Sequence, residues 1–130
     1  IKLKKLDEYI AARQKAAAYY DKAFAGHPKI TTPFVASYTN HVFHQYTLIL
    51  DNVNRDELNK YLAEHQVPSM IYYPVPAHRQ KMFEAFGGGA YQLPLTDWLT
   101  ERVISLPIHT ELGEEQLAFI TQKVLAYINK

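Results

Sequence analysis

Between Ile71 and His78 the chain reads Ile-Tyr-Tyr-Pro-Val-Pro-Ala-His, and this segment limits the possible folds more than any other. A proline fixes its φ angle and carries no N–H, so Pro74 and Pro76 cannot sit inside a helix or a central strand. The apolar run Met70 to Tyr73 must therefore stop there. It predicts a short strand followed by a stiff exit loop that carries two phenols and an imidazole. Exit loops of this kind are common mounts for binding groups, although the same residues would also serve as a plain turn between core elements. In an extended chain Tyr72 and Tyr73 point to opposite faces, so one ring is expected to be buried and the other exposed.

On either side of this segment the patterns alternate between helix and strand. Leu3, Leu6, Ile10, Ala17, Tyr20 and Phe24 recur at helical spacing and predict a long amphipathic helix over residues 3–25, ended by Gly26-His27-Pro28. Tyr9, Ala12, Ala16 and Tyr19 widen its apolar surface beyond one stripe, which predicts apolar area left for a further neighbour. Residues 28–40 read as a crossing loop. Val42 to Leu50 is β-branched and aromatic and reads as a strand. Asn54 can cap a helix with Glu57 at the capping-box position, and Leu58, Tyr61 and Leu62 form its buried stripe.

After the proline segment, His78 to Phe83 suits a helical turn and Gly87-Gly88-Gly89 a flexible break. Thr96 can cap a short helix containing Trp98 and Leu99. Val103 to Leu106 reads as a third strand. Gly113 and Gln116 can open a last helix whose core face is Leu117, Ile120, Val124 and Ile128. The sum is an α+β domain: a small three-stranded, mainly antiparallel sheet covered by helices, with long helices at both ends.

Size and charge narrow the function. A chain of 130 residues supports one domain with a single core, here residues 1–130. The chain opens on Ile1, directly in a helical pattern, and is expected to be the C-terminal fragment of a larger protein. A net charge of +1 gives no electrostatic case for nucleic acid or an anionic membrane, and no apolar run approaches bilayer length. Zero cysteines exclude a disulfide framework and a thiol nucleophile, and suit a cytoplasmic protein.

Six histidines raise the question of a metal. His41 and His44 share a face on a helix but not on a strand, and this segment reads as a strand, so no joint metal site is expected there. The glycine triplet lacks the spacing of a phosphate-binding loop.

Several short motifs follow one another in order. They are Arg13, Ala17 and Tyr20 on the first helix; the aromatic strand from His41 to Leu50; Arg55-Asp56-Glu57-Leu58; the Tyr72-Tyr73-Pro74-Val75-Pro76-Ala77-His78 loop; Leu93-Pro94-Leu95-Thr96; and Ser105-Leu106-Pro107. Together they resemble the C-terminal domain of the DegT/StrS-type, fold-type I sugar aminotransferases, from about Tyr9 to the end of the chain. Tyr72 stands where that family usually has histidine.

The resemblance implies a parent enzyme that uses pyridoxal phosphate to move an amino group from glutamate or glutamine to a keto-sugar, usually nucleotide-linked. The product would be an amino sugar for polysaccharide or glycan synthesis. It implies a homodimer, with the aldimine lysine and the cofactor's other partners in the N-terminal domain, so that the fragment alone is inactive and has no catalytic residue. Tyr73 and His78, with Tyr72, are the substrate-binding residues it carries over. The alternatives are a non-catalytic ligand-binding or regulatory module that retains this fold, and a stand-alone α+β binding domain.

Overall fold

A computed structural model describes residues 2–130. Helix α1 (Leu6–Phe24) is followed by strands β1 (Ile30–Thr31) and β2 (Tyr46–Leu50) and helix α2 (Arg55–Glu64). A long irregular segment then leads to helix α3 (Pro94–Thr100), strand β3 (Val103–Leu106) and helix α4 (Glu114–Ile128). The sheet order is β1-β2-β3 and both pairings are antiparallel. The α+β class and the three-stranded antiparallel sheet expected from the sequence are therefore present.

Pairing register sorts the side chains into two faces. Tyr46 lies opposite Leu106, Leu48 opposite Ile104, and Ile30 opposite Leu50. All six are buried and form one floor, against which α1, α2 and α4 pack with Ala17, Tyr20, Phe24, Leu58, Leu62, Leu117 and Val124. Each leucine, isoleucine, valine or phenylalanine among them, fully buried, is worth about 1.5–3 kcal/mol. The opposite face carries Thr47, Ile49, Val103 and Ser105, where the Thr47 and Ser105 hydroxyls meet at 2.8 Å. The proline segment and α3 lie toward this second face.

The motif residues of the first helix turn out to hold the fold together. Ala17 and Tyr20 are fully buried, and the Tyr20 hydroxyl donates to the Pro107 carbonyl at 2.8 Å. Tyr46 donates to Asp21 Oδ1 at 2.6 Å, and its ring lies 4.9 Å from that of Tyr20. Burial pushes both phenols above their ordinary titration range, and for Tyr46 the bond to Asp21 adds to the effect. Arg13 reaches the Phe43 carbonyl. Only the C-terminal half of α1 is buried: Leu3 and Leu6 before and at its start are 81% and 46% exposed.

Helix ends follow local chemistry. The Asn54 side chain accepts from the Glu57 N–H, as its sequence position requires. Gln116 Oε1 accepts from the Gly113 N–H at 2.9 Å, which opens α4.

Four local expectations are corrected. Residues 42–45 are not strand, because Phe43 adopts φ 45°, a left-handed conformation that breaks an extended run; β2 begins at Tyr46. Met70 makes a single antiparallel bridge to Ser105 rather than a strand, and the third strand is instead Ile30–Thr31, inside the expected crossing loop. Helix α3 starts at Pro94, whose fixed φ suits the first helical position, so Thr96 lies inside the helix and does not cap it. The glycine triplet forms turns rather than an unstructured break: Gly87 (φ 77°) ends a short 3-10 helix, Lys81–Phe86, and Gly88 is buried. A Cβ at Gly88 would meet the Phe83 and His78 carbonyl oxygens at 2.9 and 3.0 Å, so only glycine lets these backbones approach.

Candidate functional site

The chain bends at Tyr72 instead of running on as a strand, so the two phenols do not divide between core and solvent. Both are exposed, Tyr72 by 41% and Tyr73 by 73%, with their rings edge to face at 6.1 Å. With Pro76 and Gln80 they form one wall of an open cleft of ≈ 460 Å³. The other wall is α3, through Thr96, Leu99 and Thr100, and Val103 of β3 contributes to the floor. Proline stiffness holds the first wall and the sheet holds the floor. Four lining residues, Tyr72, Tyr73, Thr96 and Thr100, carry hydroxyls, that of Thr100 donating to the Thr96 carbonyl at 2.8 Å, and the rest of the lining is mainly apolar, a composition suited to a polyhydroxylated ligand with one apolar face.

His78 does not line this cleft. It lies in the short 3-10 turn Ala77–Arg79 and points inward, with its side chain only 7% exposed. Its Nε2 is 3.3 Å from Asp97 Oδ1, close but not aligned as a hydrogen bond. The neighbouring Arg79 grips the same carboxylate with two bonds, Nε to Oδ1 at 2.7 Å and Nη2 to Oδ2 at 2.6 Å. This bidentate hydrogen bonding by Arg79 holds the Asp97 carboxyl below its usual range and raises the guanidinium in return. Sequence reasoning had singled out His78 but neither Arg79 nor Asp97. An Arg next to the loop histidine and an acid in the first turn of the following helix were the available signals.

Among the described residues no three histidine, cysteine or carboxylate side chains gather where a metal ion could be held. His41 Nδ1 accepts from the Phe43 N–H at 3.0 Å, a local turn contact. Among the described residues no helix is long and apolar enough to cross a membrane.

Five of the lysines have surroundings that do not fit pyridoxal phosphate. Its aldimine needs a lysine set beside an acid for the pyridine nitrogen and donors for the phosphate. Lys29 is tied to the Ile128 carbonyl, Lys15 pairs with Glu114 in solvent, and Lys123 and Lys130 lie over the aromatic rings of Phe119 and Tyr61. Lys81 borders a depression with Tyr73, Pro74, Val75, Arg79 and Gln80, where no carboxylate contributes to the lining.

The domain is thus a small antiparallel sheet with three helices on one face and a proline-stiffened cleft beside the other. The chain belongs to the DegT/DnrJ/EryC1/StrS aminotransferase family, whose family model matches residues 1–125. It is 35% identical over 129 residues to a Geobacillus stearothermophilus protein named pleiotropic regulatory protein, covering 98% of this chain and 34% of that one. It is 40% identical over 119 residues to the UDP-N-acetyl-3-dehydro-alpha-D-glucosamine 3-aminotransferase of Acidithiobacillus ferrooxidans, covering 88% and 30%. Among solved structures, DesV of S. venezuelae in complex with a ketimine intermediate superposes with a TM-score of 0.89 at 31% identity, over 100% of this chain and 34% of that one. The chain thus spans about a third of the length of the relatives it matches.

Proposed function

We propose that residues 1–130 are the C-terminal domain of a pyridoxal-phosphate-dependent sugar aminotransferase that converts a keto-sugar, usually nucleotide-linked, to an amino sugar for polysaccharide or glycan synthesis. Glutamate or glutamine is the amino donor, and the parent enzyme is a cytoplasmic homodimer. The observation that carries this reading is the family match over residues 1–125, joined to an open cleft lined by tyrosines and threonines at the loop the family motif marks. Tyr72 and Tyr73 bind the sugar substrate from that loop. His78 supports them from behind, since its ring faces Asp97 and not the cleft.

Pyridoxal phosphate supplies the electron sink for amino transfer. Its lysine, its pyridine-nitrogen acid and its phosphate donors belong to the remainder of the parent chain. The domain alone is therefore inactive. A regulatory module without amino transfer is the weaker reading, although one relative bears a regulatory name: the substitution of tyrosine at position 72 keeps a hydrogen-bonding group there.

The test is to express the full-length parent with pyridoxal phosphate and supply UDP- or dTDP-linked keto-sugars with glutamate or glutamine. Formation of the amino sugar with release of the matching 2-oxo acid is the expected result. A parent that loads the cofactor yet transfers nitrogen to no keto-sugar would overturn the proposal. In parallel, the 130-residue chain treated with pyridoxal phosphate and borohydride should show only scattered surface labelling; one stoichiometric adduct on a single lysine would contradict the assignment of the cofactor site to the rest of the enzyme.

A further inference from the structure

The tyrosine-bearing loop and α3 form the two walls of the cleft, yet they are joined by little. Among the described residues, the side-chain polar contacts between residues 72–91 and α3 all end on one carboxylate, that of Asp97. Arg79 takes both its oxygens in a fork, and His78 Nε2 stands 3.3 Å from Oδ1 with no aligned partner of its own. Arg79 of the Ala77–Arg79 turn thus clasps a single group on the first turn of the opposite wall, with His78 set against the same group. Thr96, beside Asp97 in sequence, lines the cleft, as does Ala77, beside His78.

We infer that Asp97 is a positioning residue for substrate binding: through Arg79 and His78 it sets the distance between α3 and the loop that carries Tyr72 and Tyr73. This deepens, and rests on, the reading of the cleft as the sugar site. An isolated exposed ion pair would contribute little. The geometry here differs in two respects. The fork fixes orientation as well as distance, and the third member, His78, is almost fully enclosed. Behind the clasp, the close backbone approach at Gly88 leaves the Ala77–Ala90 segment little room to take up slack. Freeing Asp97 therefore lets the loop move as a unit, and reacting groups displaced by about 1 Å lose about a hundredfold in rate at the extreme.

The experiment compares full-length wild type with Asp97→Asn, Arg79→Ala and the double variant. Two readouts are taken: steady-state kinetics with the keto-sugar, and amide hydrogen exchange of peptides covering 72–80 and α4. The expected result is a KM rise of about tenfold with a smaller fall in kcat. Exchange should be faster at 72–80 and unchanged in α4, and the double variant should be no worse than the worse single one. Unchanged exchange at 72–80 in both single variants would refute the clasp, whatever the activity. Faster exchange with an unaltered KM would refute the positioning role. If the wild type transfers nitrogen to no keto-sugar, the sugar-site reading fails by itself, and the exchange data still decide whether Asp97 holds the loop.

Discussion

Replacing Tyr46 by phenylalanine removes one oxygen from the middle of the core and nothing else. The ring stays, with its contacts to Tyr20 at 4.9 Å and Phe43 at 6.2 Å between centroids. What is lost is the 2.6 Å hydrogen bond to Asp21, which ties the first strand of the β2-β3 pair to α1. A bond to a charged acceptor contributes about 1.5–3 kcal/mol. Asp21 is only half-buried, so water can take over its freed oxygen, and the low end applies: a loss of about 1.5 kcal/mol. For a domain of this size that corresponds to a fall in Tm of about 4–8 °C. Asp21→Ala should cost a similar amount for a different reason, since it leaves the phenol buried without an acceptor. The assay is urea and thermal unfolding of wild type, both single variants and the double variant. If the bond is the cause, the double variant is no less stable than the worse single one, and the coupling is about 1 kcal/mol or more. A coupling below about 0.5 kcal/mol would show that the two residues act independently and would refute the reasoning.

The same two phenols set an alkaline limit. Burial raises the Tyr20 and Tyr46 pKa values in the folded chain. Their stabilisation is fully present below the unfolded tyrosine value of about 10 and is lost as pH rises above it, by up to about 1.4 kcal/mol per pH unit for each phenol. Urea midpoints measured from pH 9 to 11 should fall, and Tyr20→Phe should flatten the decline; a flat wild-type profile would contradict the burial. Gly88→Ala should destabilise by about 1–3 kcal/mol because its Cβ meets two backbone oxygens, while Gly89→Ala, with open space around it, should stay within about 0.5 kcal/mol, both read from Tm. Tyr73→Phe in the parent enzyme should leave Tm unchanged and lower kcat/KM for the sugar by about threefold to a hundredfold, the range for losing a neutral or charged hydrogen bond; intact kinetics would remove Tyr73 from the site.

The sequence by itself determined the features whose causes lie within a few residues. Leu117, Ile120, Val124 and Ile128 repeat with the period of a helix and all four are buried in α4. Asn54 caps α2 because its side chain needs only the N–H three residues on. Pro74 and Pro76 keep helix and strand out of the loop they occupy because proline carries its restriction wherever it stands. The order of short motifs likewise pointed to the family, since motif order is a property of the chain.

Tertiary structure decided whatever depends on a distant partner. Ile30 and Thr31 are too short a strand to be seen locally, and they pair only because Leu50 and Ile49 lie alongside. Met70 to Tyr73 had the composition of a strand but found a ladder partner for Met70 alone, in Ser105. Side-chain direction at the site belongs to the same group. Tyr72 and Tyr73 both face outward because the backbone bends there, and His78 turns inward because the carboxylate that meets it sits 19 residues further along, on a helix that only the fold brings near. Local sequence sets each residue's preferences, but long-range contacts choose among them, because burial and charge pairing are satisfied only in the folded chain.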